Sequence, residues 1–502
     1  MKTVSKIDPE KEYQTAKSLI EIASQKALDS DQAGHLDSSV DNLITAARIL
    51  IEREERRRGL PKTKTEGNAP KGRQSGQTRG DASKLPSKRY PNAEVKETFI
   101  RPEHPPVCEC CQNVMKESGL FEISEKLEVI PKKYFIHRTK KVKFNCGTCY
   151  GAMTTTPSVP SIVPNSNYGD SIVVDVALSK FCDLIPIERY AQMAMMTGLD
   201  GDLPAQSLIG LTHHLANFLE VIYQKIKLEV LFSLILLADE TSHRMLEGDE
   251  TSNWFFWGFF SSHACYFEAH DTRSGDVVIE FLKKSQTKIL LTDGYAGYAR
   301  AVRQIKEQFS RHIDEAHCNG HAYRYFRDAS GTWKEESEVF LKLYGEIYEL
   351  ERERKESQAT VEMQLEYRTK MAPLFEEIKT NCEKQIDAAM PGGSLLKGMS
   401  YFLNHYQGLT LCLTNIDVPL DNNLSERELR APVIGRKTWL GTHSKRGALT
   451  TAVLFSIVQS CKLSGVNPRN YLPWIVKQIH QEKEVLTPYQ YRLKVVSVPE
   501  TQ

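Results

Sequence analysis

Two short apolar runs, each followed by an aspartate, place the strongest constraint on the fold of this chain. Residues 231–238 form a continuous apolar run of strand length that stops at Asp239, and residues 288–292 form a second that stops at Asp293. Runs of this kind are typical of central strands buried on both faces. Further strands are predicted at residues 254–260 and 263–269. The sequence therefore predicts an α/β domain built around a buried sheet.

The aspartates at the ends of these runs are candidate metal ligands. Carboxylates at a sheet edge can share divalent ions, which prefer oxygen ligands. Two such ions, about 4 Å apart, can activate a water or a 3′-hydroxyl and stabilise the leaving oxygen. An isolated aspartate after a strand is more often a turn or helix-cap residue. Asp239 and Asp293 alone therefore do not predict a metal site, and a third ligand is needed to support one.

A third carboxylate occurs in the segment Asp421-Asn-Asn-Leu-Ser-Glu426-Arg-Glu-Leu-Arg430. The pattern places Glu426 early on a helix, with cations close by. These cations are Arg427, Arg430, Arg436, Lys437, Lys445 and Arg446. Such a surface offers ligands for both metal ions and phosphates, although a salt-bridged helix start has the same pattern.

Paired cysteines predict a structural zinc site. Of the eleven cysteines, five lie between Cys108 and Cys149. Cys108-x-x-Cys111 and Cys146-x-x-Cys149 can supply two thiolates each to a tetrahedral shell, and Cys110 is spare. Unligated buried cysteines are the alternative. The uneven distribution favours a reducing compartment over a secreted disulfide scaffold.

The chain divides by composition into successive regions. They are a helical amino-terminal region (1–58), a basic flexible linker (59–103), a predicted zinc-binding module (104–155), a helical region (165–230), a region that contains the predicted strands (231–447) with a helical insertion at about 333–405, and a helical carboxy-terminal region (448–502). The net charge is only +1, but eleven Lys or Arg against two acidic residues lie between Arg56 and Arg89. This block either anchors to phosphates or is a solvated linker. Region 165–230 contains either a DNA-binding helix-turn-helix or ordinary packed helices.

The apolar segments are too short to suggest a membrane protein. The longest run, residues 230–238, is well short of the ~20 residues that span a bilayer. The chain does not open with a secretory signal pattern. We therefore expect a cytoplasmic protein without a membrane partner.

Strand–Asp, strand–Asp and helix–Glu in this order resemble the ribonuclease-H-like core of DDE transposases and integrases. Roughly residues 105–475 also resemble the insertion sequence 66 transposase family. The motifs that carry this resemblance are Asp239-Glu-Thr, Asp293-Gly-Tyr-Ala-Gly-Tyr298, Cys318-Asn-Gly-His321, Asp421-Asn-Asn-x-x-Glu426-Arg-x-x-Arg430 and Arg436-Lys-x-Trp439.

The resemblance implies a ribonuclease-H-like α/β catalytic core with a helical insertion, a small zinc-binding module and helical terminal regions. It implies that Asp239, Asp293 and Glu426 hold two Mg²⁺ (or Mn²⁺) ions. These ions would catalyse cleavage of transposon ends and strand transfer into target DNA. The DNA-binding residues would be Arg427, Arg430, Arg436 and Lys437. Cys318 and His321 either bind metal or brace the core, and we expect bracing.

The resemblance further implies DNA as the partner, a homo-oligomer on paired transposon ends, small accessory proteins and a DNA-associated location in the bacterial cytoplasm. Two other functions are compatible with the same residues. One is a catalytically silent or domesticated DNA-binding protein that keeps the three carboxylates. The other is a ribonuclease-H-like nuclease that cuts without joining, against which the insertion and the zinc module argue.

Overall fold

The computed structural model describes most of the chain beyond residue 158. The described residues are 85–90, 94–99, 124–127, 132–144, 154–155, 159–199, 203–246, 253–357, 360–387 and 393–496, with a few single positions between them. The amino-terminal region 1–58 and the predicted zinc ligands lie outside the described residues. These ligands are Cys108, Cys111, Cys146 and Cys149.

The chain divides into two compact units. The smaller comprises residues 64–137 and 197–199, and the larger comprises residues 1–63, 138–196 and 200–502. In the smaller unit a short helix, Pro86–Arg89, is tied to Glu125, which accepts hydrogen bonds from the backbone and hydroxyl of Ser87 at 2.7 and 2.8 Å. In the larger unit Lys143–Phe144 and Thr154–Thr155 form a short antiparallel pair.

A five-stranded mixed sheet forms the centre of the larger unit. Its strands are β1 (Ile235–Arg244), β2 (Asn253–Phe260), β3 (Cys265–His270), β4 (Ile289–Thr292) and β5 (Asp314–His317). The spatial order is β3-β2-β1-β4-β5, in which β2 is antiparallel to both neighbours and β4 and β5 run parallel to β1. The aromatic residues from Phe256 to Phe260 of β2 are buried, as expected for a strand covered on both faces.

Helices cover the sheet and extend from it. They are α1 (Asp170–Phe181), α2 (Ile187–Met196), α3 (Ala205–Phe218), α4 (Glu220–Leu231), α5 (Asp276–Lys284), α6 (Ala296–Phe309), α7 (Asn319–Ala329), α8 (Lys334–Glu356), α9 (Val361–Gln385), α10 (Ser394–Asn404), α11 (Asn423–Trp439), α12 (Lys445–Leu463) and α13 (Pro468–His480). Shorter turns of helix occur at Tyr406–Thr410, Leu411–Leu413, Pro488–Tyr491 and Arg492–Val496. Phe259 of β2 stacks on Phe281 of α5 at a centroid distance of 3.9 Å, which joins the sheet to its helical cover.

Strand β1 differs from its sequence prediction at both ends. Leu231 ends helix α4, and the strand begins at Ile235. The prediction that the strand stops at Asp239 is wrong, because β1 continues to Arg244. The reason is its pairing with β2, which holds the polar half of the strand in register as far as Arg244 opposite Asn253.

Strand β3 forms one edge of the sheet, and side chains of α12 cover this edge. The backbone amides of Cys265 and Phe267 donate hydrogen bonds to Ser460 and Ser456, each at 2.9 Å. Tyr223 donates to the carbonyl of Phe267 at 2.7 Å. These bonds pair backbone amides and a carbonyl of β3 that could otherwise bond to a further strand.

Helix α12 is buried along most of its length. Within the described residues, no single helix is both long and apolar enough to cross a membrane. Helices α12 and α13 meet that criterion only when taken together, as a pair bent by 119°.

The two helices predicted as a candidate helix-turn-helix are α2 and α3. Helix α3 buries Leu208, Leu211 and Leu215 and packs against α1 and α12. His213 on the same helix is bonded through Nδ1 to the Thr450 hydroxyl at 2.7 Å. One face of α3 is therefore packed into the core that it shares with α1 and α12.

Removing the serine hydroxyls that cover β3 should destabilise the fold. Ser456→Ala and Ser460→Ala each leave a buried amide without its partner, so each should lower the free energy of unfolding by about 1–3 kcal/mol. Chemical denaturation measures this loss. Thr369→Ala is the control, because it removes only an exposed bond within α9, and equal effects of all three variants would contradict the prediction.

Candidate active site

Asp239 lies in β1, and Asp293 directly follows β4, the parallel neighbour of β1. Leu237 of β1 pairs with Leu291 of β4, an offset of 54 residues. Asp239 and Asp293 are also 54 residues apart, and each lies two residues after its leucine. Residues two apart share a face of a strand, and neighbouring strands are about 4.8 Å apart. The register therefore places both carboxylates side by side at the carboxyl end of β4.

Negative charge is concentrated around Asp239. Burial and then the charges of Glu240, Asp293 and Glu426 raise the pKa of Asp239 to about 8. Glu426 is therefore near enough for its charge to act on the aspartate pair. Because the repulsion among carboxylates would be relieved by a cation, this cluster has the electrostatic character of a divalent-ion site.

Glu240 follows Asp239 but has a different role. Its side chain is 2% exposed and accepts hydrogen bonds from Tyr298 at 2.5 Å and from Arg273 at 2.7 Å. Consecutive strand residues point to opposite faces, so Glu240 points away from the face that carries Asp239. This ion pair fixes β1 against the helices that follow β3 and β4. Sequence reasoning missed Glu240 because its partners come from distant segments.

The backbone around Asp293 is held by the helical insertion. The Asp293 carboxylate accepts a bond from the Tyr295 amide at 2.9 Å, and its carbonyl accepts one from the Tyr401 hydroxyl at 3.0 Å. The next residue, Gly294, has φ +90°, and a Cβ there would lie 3.2 Å from Nε2 of His405. Glycine is needed at this turn because His405 approaches the backbone so closely.

Asn422 fixes the start of α11, the helix that carries Glu426. Its fully buried side chain donates to the carbonyl of Ala238 at 3.2 Å and accepts from Ser425 at 2.5 Å. Its backbone amide donates to Sγ of Cys318 at 3.1 Å. Asn422 therefore ties α11 to β1 immediately before Asp239 and to the end of β5.

Glu426 lies in the first turn of α11, as predicted, but its carboxylate faces α7. Arg324 donates to both oxygens, with Nη1 2.7 Å from Oε2 and Nη2 on Oε1. The hydrogen bond from Arg324 is the largest cause that lowers the pKa of Glu426. His321 Nε2 is 3.8 Å from Oε1. Arg324 is a functional candidate that the sequence analysis missed, because it lies three residues beyond the motif Cys318-Asn-Gly-His321.

Cys318, His321 and Glu426 form the one group of three ligand-type side chains within 4.8 Å of one another in the described part of the chain. The structure thus places Asp293 near enough to Asp239 for its charge to act there. The Glu426 carboxylate instead contacts Arg324 and lies close to His321. Burial raises the pKa of Cys318 to about 12, and its sulfur already accepts the Asn422 amide. These features agree with a bracing role for Cys318.

The predicted phosphate-binding residues differ in their surroundings. Arg427, Arg430 and Lys437 are exposed, although Arg427 also pairs with Glu428 at 2.8 Å. Arg436 instead donates to the carbonyl of Ser242 and to its hydroxyl, the latter at 2.6 Å. Arg436 therefore braces the second half of β1, three residues beyond Asp239.

The basic loop after α11 is attached to the same strand. Thr442 and Leu246 are joined by a backbone hydrogen bond of 2.8 Å, and the Thr442 amide donates to Arg244 at 3.0 Å. Gly441 has φ +116°, and a Cβ there would lie 2.2 Å from the Arg244 carbonyl oxygen. The loop that leads to Lys445 and Arg446 is therefore held beside the end of β1.

The sequence matches the family described as "Transposase IS66 family" over residues 165–450, more than half of the chain. Three proteins of Sinorhizobium fredii (strain NBRC 101917 / NGR234) are also similar to it. Uncharacterized protein y4hP is 25% identical over 400 residues, which cover 75% of this chain and 71% of the relative. Uncharacterized protein y4jD is 24% identical over 395 residues, with 76% of each chain covered. Uncharacterized protein y4qI is 25% identical over 420 residues, with 79% and 75% covered.

Asp239 should make stability depend on pH in metal-free protein. Its pKa is raised from 3.8 to about 8, so the folded state binds its proton more tightly than the unfolded chain does. The stability from this group is present below about pH 4 and is lost as the pH rises to about 8. Asp239→Asn cannot ionise, so its Tm relative to wild type should be higher at pH 8 than at pH 5. Thermal denaturation in EDTA measures this, and an equal Tm difference at both pH values would contradict it.

Proposed function

Since the chain belongs to the Transposase IS66 family, we propose that it is a DNA transposase that cleaves transposon ends and joins them to target DNA. The observation that carries this proposal is that Asp239 and Asp293 each lie two residues beyond the paired residues Leu237 and Leu291 of parallel strands, and that the charges of Asp293 and Glu426 both act on Asp239. The catalytic core is proposed to be ribonuclease-H-like. Support comes from the strand order β3-β2-β1-β4-β5 with only β2 antiparallel.

The donor set of the site fits Mg²⁺ or Mn²⁺. Three carboxylates provide hard oxygen ligands, and Asp239 is buried near the charges of Glu240, Asp293 and Glu426, which a cation would offset. We propose that Asp239, Asp293 and Glu426 hold two such ions. When bound, these ions supply the activation of a water or 3′-hydroxyl and the stabilisation of the leaving oxygen.

The protein's own residues position the reacting groups. The Asp239–Asp293 pair is rigid because β1 is fixed through Glu240 and the Asp293 carbonyl is held by Tyr401. Asn422 sets the start of α11, so that Glu426 can approach the pair by moving its side chain alone. Such pre-organisation reduces the reorganisation required in the transition state.

DNA phosphates are proposed to bind the cationic surface of α11 and the loop that follows it. Arg427, Arg430 and Lys437 are available to solvent there, and Arg436 is proposed to contribute charge while it braces β1. These contacts position the backbone without reading sequence. Cys108, Cys111, Cys146 and Cys149 are proposed to hold a structural zinc ion. A homo-oligomer on paired ends and small accessory proteins are proposed from family membership.

Loss of any one carboxylate should abolish both chemical steps. Asp239→Asn, Asp293→Asn and Glu426→Gln should each reduce Mn²⁺-dependent cleavage and strand transfer on end-bearing DNA by at least roughly a hundredfold. Asp276→Asn is the matched control, because Asp276 pairs with Arg300 at an exposed site. Retained activity in a carboxylate variant would refute the assignment. DNA binding without cleavage by wild type would indicate a silent binding protein, and cleavage without joined products would indicate a nuclease.

The cations of α11 should contribute to the salt dependence of DNA binding. Arg430→Ala and Lys437→Ala should each reduce the slope of log affinity against log salt concentration by about 0.9, the value for one phosphate contact. Fluorescence anisotropy over a salt series measures these slopes. Lys306→Ala is the control, since this exposed residue lies near the far end of α6, and an equal change there would contradict the assignment.

A further inference from the structure

Arg324 occupies both metal-binding oxygens of Glu426. Its two terminal nitrogens reach one oxygen each, which is the bidentate arrangement that suits a guanidinium and a carboxylate. The two side chains are 33% and 21% exposed, so the ion pair is partly shielded from water. While this pair persists, Arg324 neutralises Glu426 and occupies the oxygens that a metal ion would bind.

The pair also explains why Glu426 stands apart from the aspartates. Asp239 and Asp293 are aligned by strand register, whereas Glu426 faces Arg324 and His321. Asn422 already holds the start of α11 against β1. The side chain of Glu426, rather than its helix, is therefore what must move to complete a three-carboxylate site.

We propose that Arg324 is a positioning residue that keeps Glu426 from completing the metal site until DNA is bound. This inference rests on the proposed function. A DNA phosphate offers the guanidinium an alternative anion of matching geometry. When Arg324 transfers to a phosphate, Glu426 is released towards Asp239 and Asp293. After the exchange every charge has a partner, because the DNA phosphate pairs with the guanidinium and the divalent ion pairs with the released carboxylate.

The backbone that carries Arg324 is fixed, so the exchange involves the side chain. Asn319, at the start of α7, donates to the carbonyls of Leu409 and Leu420 at 2.9 and 3.1 Å. The Cys318 amide donates to Thr292 at 3.0 Å. Helix α7 is thereby anchored to β4 and to the segment before α11, and the long side chain of Arg324 extends from this anchored helix.

The test measures Mn²⁺ affinity without DNA, by electron paramagnetic resonance or calorimetry. Arg324→Met should bind the more weakly held Mn²⁺ roughly tenfold more tightly than wild type, since one charge-assisted bidentate pair no longer competes. Arg430→Met is the matched control, because Arg430 also acts on Glu426 by charge but its removal leaves the Arg324 pair in place. Its affinity should rise much less.

A second arm adds a short phosphorothioate-blocked DNA that carries the transposon end. Wild type should gain Mn²⁺ affinity on binding this DNA, whereas Arg324→Met should gain much less, because the variant has no guanidinium for a DNA phosphate to withdraw from Glu426. An equal gain in both proteins would overturn the proposed exchange. Melting temperatures show whether each variant is folded. If Arg324→Met does not fold, the neutral variant Arg324→Gln replaces it, and an unchanged affinity in that variant would overturn the proposal.

The outcomes separate this inference from the function on which it rests. Wild type could bind Mn²⁺ while Arg324→Met bound it with equal or lower affinity. This result would show that Arg324 only braces Glu426, and the proposed transposase function would be unaffected. If wild type and all variants failed to bind Mn²⁺ and failed to cleave DNA, both the proposed function and the role of Arg324 would be wrong.

Discussion

The buried amide of Asn422 joins segments that lie more than one hundred residues apart in the chain. It donates to Ala238, beside Asp239, while its backbone donates to the sulfur of Cys318. A buried polar group with partners in several elements cannot shift without leaving one of them unpaired, at a cost of about 1–3 kcal/mol. The start of α11 is therefore fixed to two strands of the sheet, and the approach of Glu426 to the aspartates depends on this attachment.

The second organising constraint is the balance of charge around the aspartates. Burial and then the charges of Glu240, Asp293 and Glu426 raise the pKa of Asp239, and Arg273 pairs with Glu240 on the opposite face of β1. On the side of α7, Arg324 stabilises the ionised form of Glu426. The site thus combines a pair of acidic side chains with a third, Glu426, that is already paired with an arginine. This asymmetry is a property of the folded chain, because each partner comes from a different element.

The sequence predicted the parts of the fold that depend on local patterns. The apolar run before Asp293 and the early position of Glu426 on a helix were predicted correctly, since run length and helix-start residues signal them directly. The end of β1 was predicted wrongly, because pairing with β2 outweighs the polarity of residues 239–244. Arg324 and Asn422 could not be identified as site residues, since a lone arginine or asparagine shows nothing of partners that lie about a hundred residues away.

The closed edge at β3 has a consequence for how copies of this protein can meet. Ser456, Ser460 and Tyr223 already occupy hydrogen-bonding groups of that strand. A second molecule therefore cannot extend the sheet across this edge to build a continuous intermolecular β-structure. A second molecule that approached this edge would have to use helical or loop surfaces, whose contacts can form and separate without disturbing the strands that carry the acids.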